Sequence, residues 1–338
     1  MTPADDRQPA WAGHRAAPLT GRQATASLPI HFITVNYHCG DYIRSLIEAV
    51  GASAEEPGSL HFVVVNNSPA DRSLHHWLEA GSPRLAVQLL ESGANLGFGS
   101  GCNLGLRHVW QADPQAVAWL INPDARLDGR AIAYVRQCLS DDEQIALLGT
   151  RIRDLQGEVW FSHGSFNPWT GQLGHRFPGD DCRPLPVRTW PTRWISGCSM
   201  IFRLGVFRDC PQFDPRYFLD YEDADICERL HRLGYRLRVT QAVLVEHQVS
   251  AITQRAPRAK YQHATFSKLY FLHRHATPVA LLLNLVYYAV RPLSFCLSDP
   301  ERARGRWWGL GDYLRWRVGR LLGRPEQPHP RTSFTVSS

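Results

Sequence analysis

Short apolar runs alternate with amphipathic segments along most of this chain. Residues 29–37 read as a strand. His31, Ile33 and Val35 alternate with Phe32, Thr34 and Asn36, and both faces carry apolar groups, as in a buried parallel strand. A helix is predicted over residues 41–50, with Ile43, Leu46 and Ile47 on one face and Asp41 as its N-cap. The alternation continues with a strand at 61–65, a helix at 73–80, a strand at 85–90, a helix at 101–110 and a strand at 116–121. Such an order predicts an α/β fold whose mostly parallel sheet is built from right-handed units. A helix at 128–139 and a strand at 145–152 extend it.

The pattern breaks down over residues 154–191, rich in Gly, Pro, Trp and Phe. A loop of that length inside a domain is expected to be a binding loop, here one that shapes an acceptor site. Residues 194–203 read as small residues running into a buried strand, where Gly197 allows either a bulge or close backbone approach. The clearest helix begins near Asp220. Ile226, Leu230 and Leu233 form its apolar face and Gly234 is its C′ stop. A strand at 236–245 follows and ends in Glu246-His247.

Domain organisation follows from where the pattern starts and changes character. Residues 1–27 carry no period and read as a flexible leader, 28–256 as the α/β domain, and 257–338 as a helical region with a flexible tail. Residues 278–297 are near the length of a membrane span, but Arg291-Pro292 interrupt them. Residues 312–322 are amphipathic, with Leu314, Val318, Leu321 and Leu322 on one side, and Trp307, Trp308 and Trp316 fit an interfacial helix. This favours attachment to a membrane surface over a helical subdomain packed on the core or a dimer contact. A homo-oligomer stays open.

The charge changes this picture little. The net charge is +6, and nearly all of the base is arginine, since Lys260 and Lys268 are the only lysines. Arginine suits phosphate groups and anionic membranes alike. A nucleic-acid partner is disfavoured, because many arginines sit among apolar C-terminal segments and not on a basic face with stacking aromatics. Eight scattered cysteines without a C-x-x-C pair argue against a zinc ribbon and for a reducing, cytoplasmic setting. No apolar secretory signal is visible near the N-terminus.

Candidate chemistry gathers at two places. The apolar run at 116–121 ends in Asn122-Pro-Asp124, leaving a carboxylate at the carboxyl end of a strand. Ligands of open α/β sheets sit at that edge, and a hard cation there takes carboxylate and phosphate oxygens. The bland alternative is a turn in which Asp124 bonds its own backbone. Four acids, Asp220, Glu222, Asp223 and Asp225, crowd the start of the late helix. Asp220 would cap it, and acids in the first turn suit the helix dipole. Carboxylates so close also raise one another's pKa, so that one can serve as a general base. The glycines around Gly97 serve either tight turns or the approach of backbone to a nucleotide, with Asn95 and Asn103 as polar contacts.

Taken in order, several stretches resemble the inverting family 2 glycosyltransferases, and most of all their rhamnosyltransferase branch. They are Ile33-Thr-Val-Asn-Tyr37, Val63-Val-Val-Asn-Asn-Ser68, Asn95-Leu-Gly-Phe-Gly99, Leu120-Ile-Asn-Pro-Asp124, Phe213-Asp-Pro-Arg-Tyr-Phe218, Tyr221-Glu-Asp-Ala-Asp225 and His247. The resemblance implies a GT-A, Rossmann-like fold with a C-terminal helical extension. It implies that Asp124 binds Mg²⁺ or Mn²⁺, with Asn122 at the first acidic position of the family's DxD-type motif and His247 as a second contact to metal or diphosphate. It makes Asp223 the catalytic base, with Glu222 and Asp225 supporting the acceptor or the helix. Thr34, Asn36, Asn66, Asn95, Gly97, Asn103, Asn122 and Gly197 would bind the nucleotide sugar. Asn66 stands where the family usually has an aspartate that contacts the base. The implied activity is transfer of a sugar, rhamnose from dTDP-rhamnose by branch similarity, to a lipid-linked or polysaccharide acceptor at the inner face of the cell membrane. The alternative from another class is a catalytically degenerate nucleotide-sugar-binding protein.

Overall fold

The computed structural model describes residues 28–53, 57–81, 83–176, 189–248 and 257–323. The predicted leader and the C-terminal tail lie outside these residues. The α/β alternation is realised as β1 (Ile30–Asn36), α1 (Gly40–Ser53), β2 (Leu60–Asn66), α2 (Ser73–Ala80), β3 (Ala86–Glu91), α3 (Phe98–Ala112) and β4 (Val117–Ile121). There follow β5 (Ala125–Leu127), α4 (Ala131–Asp141), β6 (Ile145–Arg153), β7 (Val159–Phe161), β8 (His163–Asn167), β9 (Gln172–Arg176), β10 (Thr189–Pro191), β11 (Ser199–Arg203), α5 (Glu222–Arg232) and β12 (Arg236–His247). The chain continues with α6 (Pro257–His275), α7 (Pro278–Val290) and α8 (Pro300–Leu321).

The main sheet runs β10-β12-β6-β11-β4-β1-β2-β3, with β5 added to β12 and β7 to β6. Strands β4, β1, β2 and β3 pair in parallel, as do β6 and β12, while β11 is antiparallel to both β4 and β6. Antiparallel β11 therefore joins two parallel blocks. Strands β1, β2 and β4 are buried almost throughout, with Phe32, Phe62 and Trp119 stacking across them inside one core layer. A second layer under α3 and α5 holds Ile33, Leu106, Phe202, Ile226 and Leu230.

Four expectations need correction. Asp41 lies inside the first turn of α1, and it is the Cys39 carbonyl that accepts from Tyr42 and Ile43. Helix α3 begins at Phe98, earlier than its apolar periodicity indicates, and its Gly105 faces β1: an added Cβ there would overlap Ile33. Close helix–strand packing is thus the first use of a glycine read as a turn or nucleotide element. The supposed long loop holds β7, the β8–β9 hairpin and β10, while residues 177–188 lie outside the described residues. Asp220 does not cap α5: the N-cap is Tyr221, with no side-chain cap bond, and both residues have positive φ, 65° and 69°.

Helix α6 is part of the core. Phe266, Leu269, Tyr270 and Phe271 share one apolar cluster with Tyr217 and Ala224 of the α5 region and Phe166 of β8. Helix α8 packs on α6 at short range, since a Cβ on Gly305 or Gly309 would overlap the carbonyl oxygens of Arg258 or Gln262. Of the three tryptophans expected at an interface, Trp307 donates to the Ala289 carbonyl, Trp316 packs on Tyr270, and Trp308 is the one well exposed.

Candidate active site

One cavity of about 320 Å³ opens at the carboxyl ends of β1 and β4. Two strand ends form its first wall. The turn after β4 carries Asn122 and Asp124, and β5 pairs antiparallel with the end of β12 so that Ala125 stands opposite His247. That register, with Gln248 N–H donating to the Asp124 carbonyl, brings His247 back over 120 residues of chain onto Asp124. The Asp124 Oδ1 lies 3.1 Å from His247 Nε2, and Asn122 Nδ2 lies 3.3 Å from the same nitrogen. Trp160 packs edge-on against the imidazole at 5.0 Å.

These three polar groups fit a cation. Among the described residues, buried Asp124 Oδ1 accepts no hydrogen bond and buried His247 Nδ1 has no hydrogen-bond partner. If Nε2 carries a hydrogen it meets the Asn122 amide hydrogens; if it carries a lone pair it meets the Asp124 oxygen. A divalent ion between Oδ1 and Nε2 would relieve that conflict. Carboxylate oxygen and imidazole nitrogen both suit Mn²⁺, and the oxygen suits Mg²⁺. No group of three His, Cys, Asp or Glu able to hold a metal occurs among the described residues, so a cation here would need further oxygens, from amide, backbone, phosphate or water.

The start of α5 lines the same cavity. The chain reaches it through the two left-handed residues Asp220 and Tyr221, a conformation that costs L-residues roughly 1–2 kcal/mol each. The turn this makes puts Asp220, Glu222 and Asp223 on the cavity and leaves Asp225 behind it. Asp223 Oδ2 accepts from Gly197 N–H at 2.9 Å and Oδ1 from Ala224 N–H at 2.7 Å. Burial nevertheless pushes its pKa up to about 6 against those hydrogen bonds. Glu222 is pushed well above its ordinary value too, first by burial and then by the Asp223 and Asp220 charges, and its Oε2 is buried without a hydrogen-bond partner among the described residues. Both adjacent carboxyls are thus held above their ordinary range, Asp223 against two backbone hydrogen bonds and Glu222 by burial first. Gly197 is required where it stands, because a side chain would press on the Phe98 ring.

Helix α5 is held from below. Asp225 is fully buried, with Arg229 Nε at 2.7 Å, His275 Nε2 at 2.7 Å, Arg274 Nε at 3.3 Å and Tyr217 OH at 3.2 Å. Burial opposes its ionisation, but the cations around it prevail, Arg229 foremost, and hold its pKa well below the ordinary range. Glu228 takes a two-pronged bond from Arg193 at 2.6 and 3.0 Å.

The profile of Glycosyltransferase like family 2 matches residues 29–268. The chain belongs to this family. It is 26% identical over 277 residues to the N-acetylglucosaminyl-diphospho-decaprenol L-rhamnosyltransferase of Mycobacterium tuberculosis, covering 75% of this chain and 86% of that one. Its fold is GT-A. It superposes on S. aureus TarS 1-349 in complex with UDP-GlcNAc with a TM-score of 0.51 at 13% identity, covering 89% of this chain and 93% of that one. On GalNAc-T7 with UDP, GalNAc and Mn²⁺ the TM-score is 0.58 at 12% identity, covering 89% of this chain and 59% of that one.

Within this glycosyltransferase the residues expected to bind the nucleotide sugar divide. Asn95, Gly97, Asn122 and Gly197 line the cavity, together with Asp124, Glu222, Asp223 and His247. Gly97, at φ 82°, accepts from Asn67 Nδ2 and lies so close to the Phe218 carbonyl that no Cβ fits. Thr34, Asn36, Asn66 and Asn103 are buried and do not line the cavity. Asn103 is used up in a two-way pair with the Phe213 backbone, at 2.7 and 2.9 Å. Asn66 accepts from Asn36 and Ser68 and donates to the Glu91 carboxylate at 3.0 Å. Asp225 does not line the cavity and is instead tied to the buried cations beneath helix α5. Tyr37, Asn67 and Trp160 line the site without having been singled out. Tyr37 and Asn67 lay inside quoted motifs, whereas Trp160 sat in a stretch with no period.

Proposed function

We propose that this glycosyltransferase is an inverting, metal-dependent enzyme that moves rhamnose from dTDP-rhamnose to a hydroxyl of a lipid-linked acceptor in the cytoplasm, at the inner face of the membrane. The observation that carries the reading is that Asp124, His247 and Asp223 all line a single cavity. The donor and acceptor classes rest on the M. tuberculosis relative, whose name specifies an L-rhamnosyl group and a diphospho-decaprenol.

Asp124 and His247 would hold the cation, which supplies positive charge for the diphosphate leaving group. Asp223 takes the proton of the acceptor hydroxyl, and the oxygen attacks the anomeric carbon from the face opposite the nucleotide. Gly197 and Ala224 N–H fix the rotamer of that base, and its pKa near 6 keeps it ionised at neutral pH yet basic enough to accept a proton. Glu222 lines the same cavity and can hydrogen-bond a sugar hydroxyl.

The test is a panel of nucleotide sugars incubated with purified protein with Mn²⁺, with Mg²⁺ or with chelator. Turnover of dTDP-rhamnose above the UDP- and GDP-sugars, and its loss with chelator, is the expected result. Binding of a donor with no turnover under any condition would favour a degenerate binding protein.

A further inference from the structure

Helix α7 carries an apolar face that none of the described residues covers. One side of the helix is buried: Ala280 and Tyr288 are covered, and Leu281 and Leu285 pack on the cluster around α6. The other side presents Val279, Leu282, Leu283, Val286, Val290 and, beyond the helix, Leu293, each 55–61% exposed. The spacing of three and four residues makes this one continuous stripe. Trp169, at the tip of the β8–β9 hairpin, stands beside it and is 70% exposed. The hairpin is tied to α7 by Asn284 Nδ2 donating to the Thr170 carbonyl and by Thr277 N–H donating to that of Pro168.

A basic cluster adjoins the end of this stripe. The guanidinium groups of Arg291, Arg302 and Arg306 gather around the Phe295 ring at 5.5, 5.0 and 5.3 Å. The acids nearest in sequence are engaged elsewhere: Glu301 pairs with Arg258 and Arg304, and Asp299 caps α8. Arg302 Nε is buried without a hydrogen-bond partner among the described residues. Residues 257–323 hold eleven arginines and lysines against three acids, so the positive excess of the whole chain resides here.

We infer that α7 lies in the plane of an anionic bilayer surface, its Val279–Leu293 stripe among the acyl chains and Arg291, Arg302 and Arg306 on lipid phosphates. Pro278–Phe295 is long and apolar enough by composition to span a membrane. Spanning is opposed by geometry: the 13-residue helix is about 20 Å long, short of the roughly 30 Å hydrocarbon core, and one of its sides is occupied by protein. A second copy of the chain on the same face would set these arginines against their own kind, whereas phosphate headgroups complement them. The proposal takes its purpose, but none of its observations, from the reading of a lipid-linked acceptor.

Vesicle sedimentation of the full chain tests it without any turnover, so it fails or stands independently of the transferase assignment. The chain is expected to pellet with phosphatidylglycerol vesicles and to stay in solution with phosphatidylcholine vesicles. Leu282→Asp/Val286→Asp alters exposed positions only, and should abolish pelleting while keeping the circular dichroism and melting curve of the parent. Arg291→Gln/Arg302→Gln/Arg306→Gln should weaken binding on the order of 100-fold. The proposal is overturned if the parent ignores anionic vesicles, if it pellets equally with neutral ones, or if the Leu282/Val286 variant binds undiminished. It is equally overturned if that variant instead turns a dimeric parent into a monomer, which would make the face a self-interface.

Discussion

Replacing Asp223 by Asn is expected to lower kcat by about 10²–10⁴ while leaving donor affinity close to that of the parent. The carboxylate meets the needs of a base in three ways. It faces the cavity, two backbone N–H groups fix its orientation, and burial raises its pKa to about 6. An amide keeps the shape but cannot take a proton. The sign of the pH dependence follows. Asp223 works ionised, so kcat of the parent should be flat above neutrality and fall about tenfold per unit once pH drops below the value near 6. That limb belongs to the Asp223–Glu222 pair, because each carboxyl titrates in the field of the other. The asparagine variant should show a small residual rate without the limb. A variant with parental kcat would remove Asp223 from the chemistry.

Asp225→Ala, only two residues away, should act on stability instead. The substitution leaves Arg229, Arg274 and His275 facing a buried site whose anion is gone. Breaking a buried charge pair by removing one partner costs about 3–5 kcal/mol, which thermal or denaturant unfolding would register as a lowered midpoint. Turnover per folded molecule should fall far less than in Asp223→Asn. The linkage has a definite sign as well. The folded-state pKa is depressed, so the carboxylate contributes fully above its ordinary value of 3.8 and loses that contribution as pH falls below it. The stability difference between parent and variant should therefore be constant through neutrality and narrow only in acid. Equal unfolding midpoints would show that the cations around Asp225 find other partners.

The contrast between these neighbours also marks where the sequence was legible. Alternating apolar runs located β1, β2, β4, β6 and β12 because strands buried on both faces have few other uses for such residues. Asp124 just past β4 and His247 at the end of β12 pointed to the cavity for the same reason: the carboxyl edge of such a sheet is where its crevice lies. What a polar residue does at that edge was not legible. Asn36, Asn66 and Asn103 look like ligand contacts in sequence, yet their partners lie 30, 25 and 110 residues away and leave none of them on the cavity. Four acids near one helix start read as a single cluster. The left-handed pair Asp220 and Tyr221, for which the chain carries no glycine signal, turns Asp223 toward the site and Asp225 toward α6. The aperiodic stretch around Trp160 hid a hairpin because its strands are short and pair locally or at the sheet edge.

Donor binding measured by titration calorimetry, with and without Mn²⁺, in the parent, in Asp124→Asn and in Asp223→Asn bears most directly on a cation and a base acting across one cavity. The parent and Asp223→Asn should both bind the nucleotide sugar more tightly with Mn²⁺, and Asp124→Asn should lose that gain. An Asp124→Asn protein that keeps the full Mn²⁺ effect, or a parent indifferent to Mn²⁺, would contradict it.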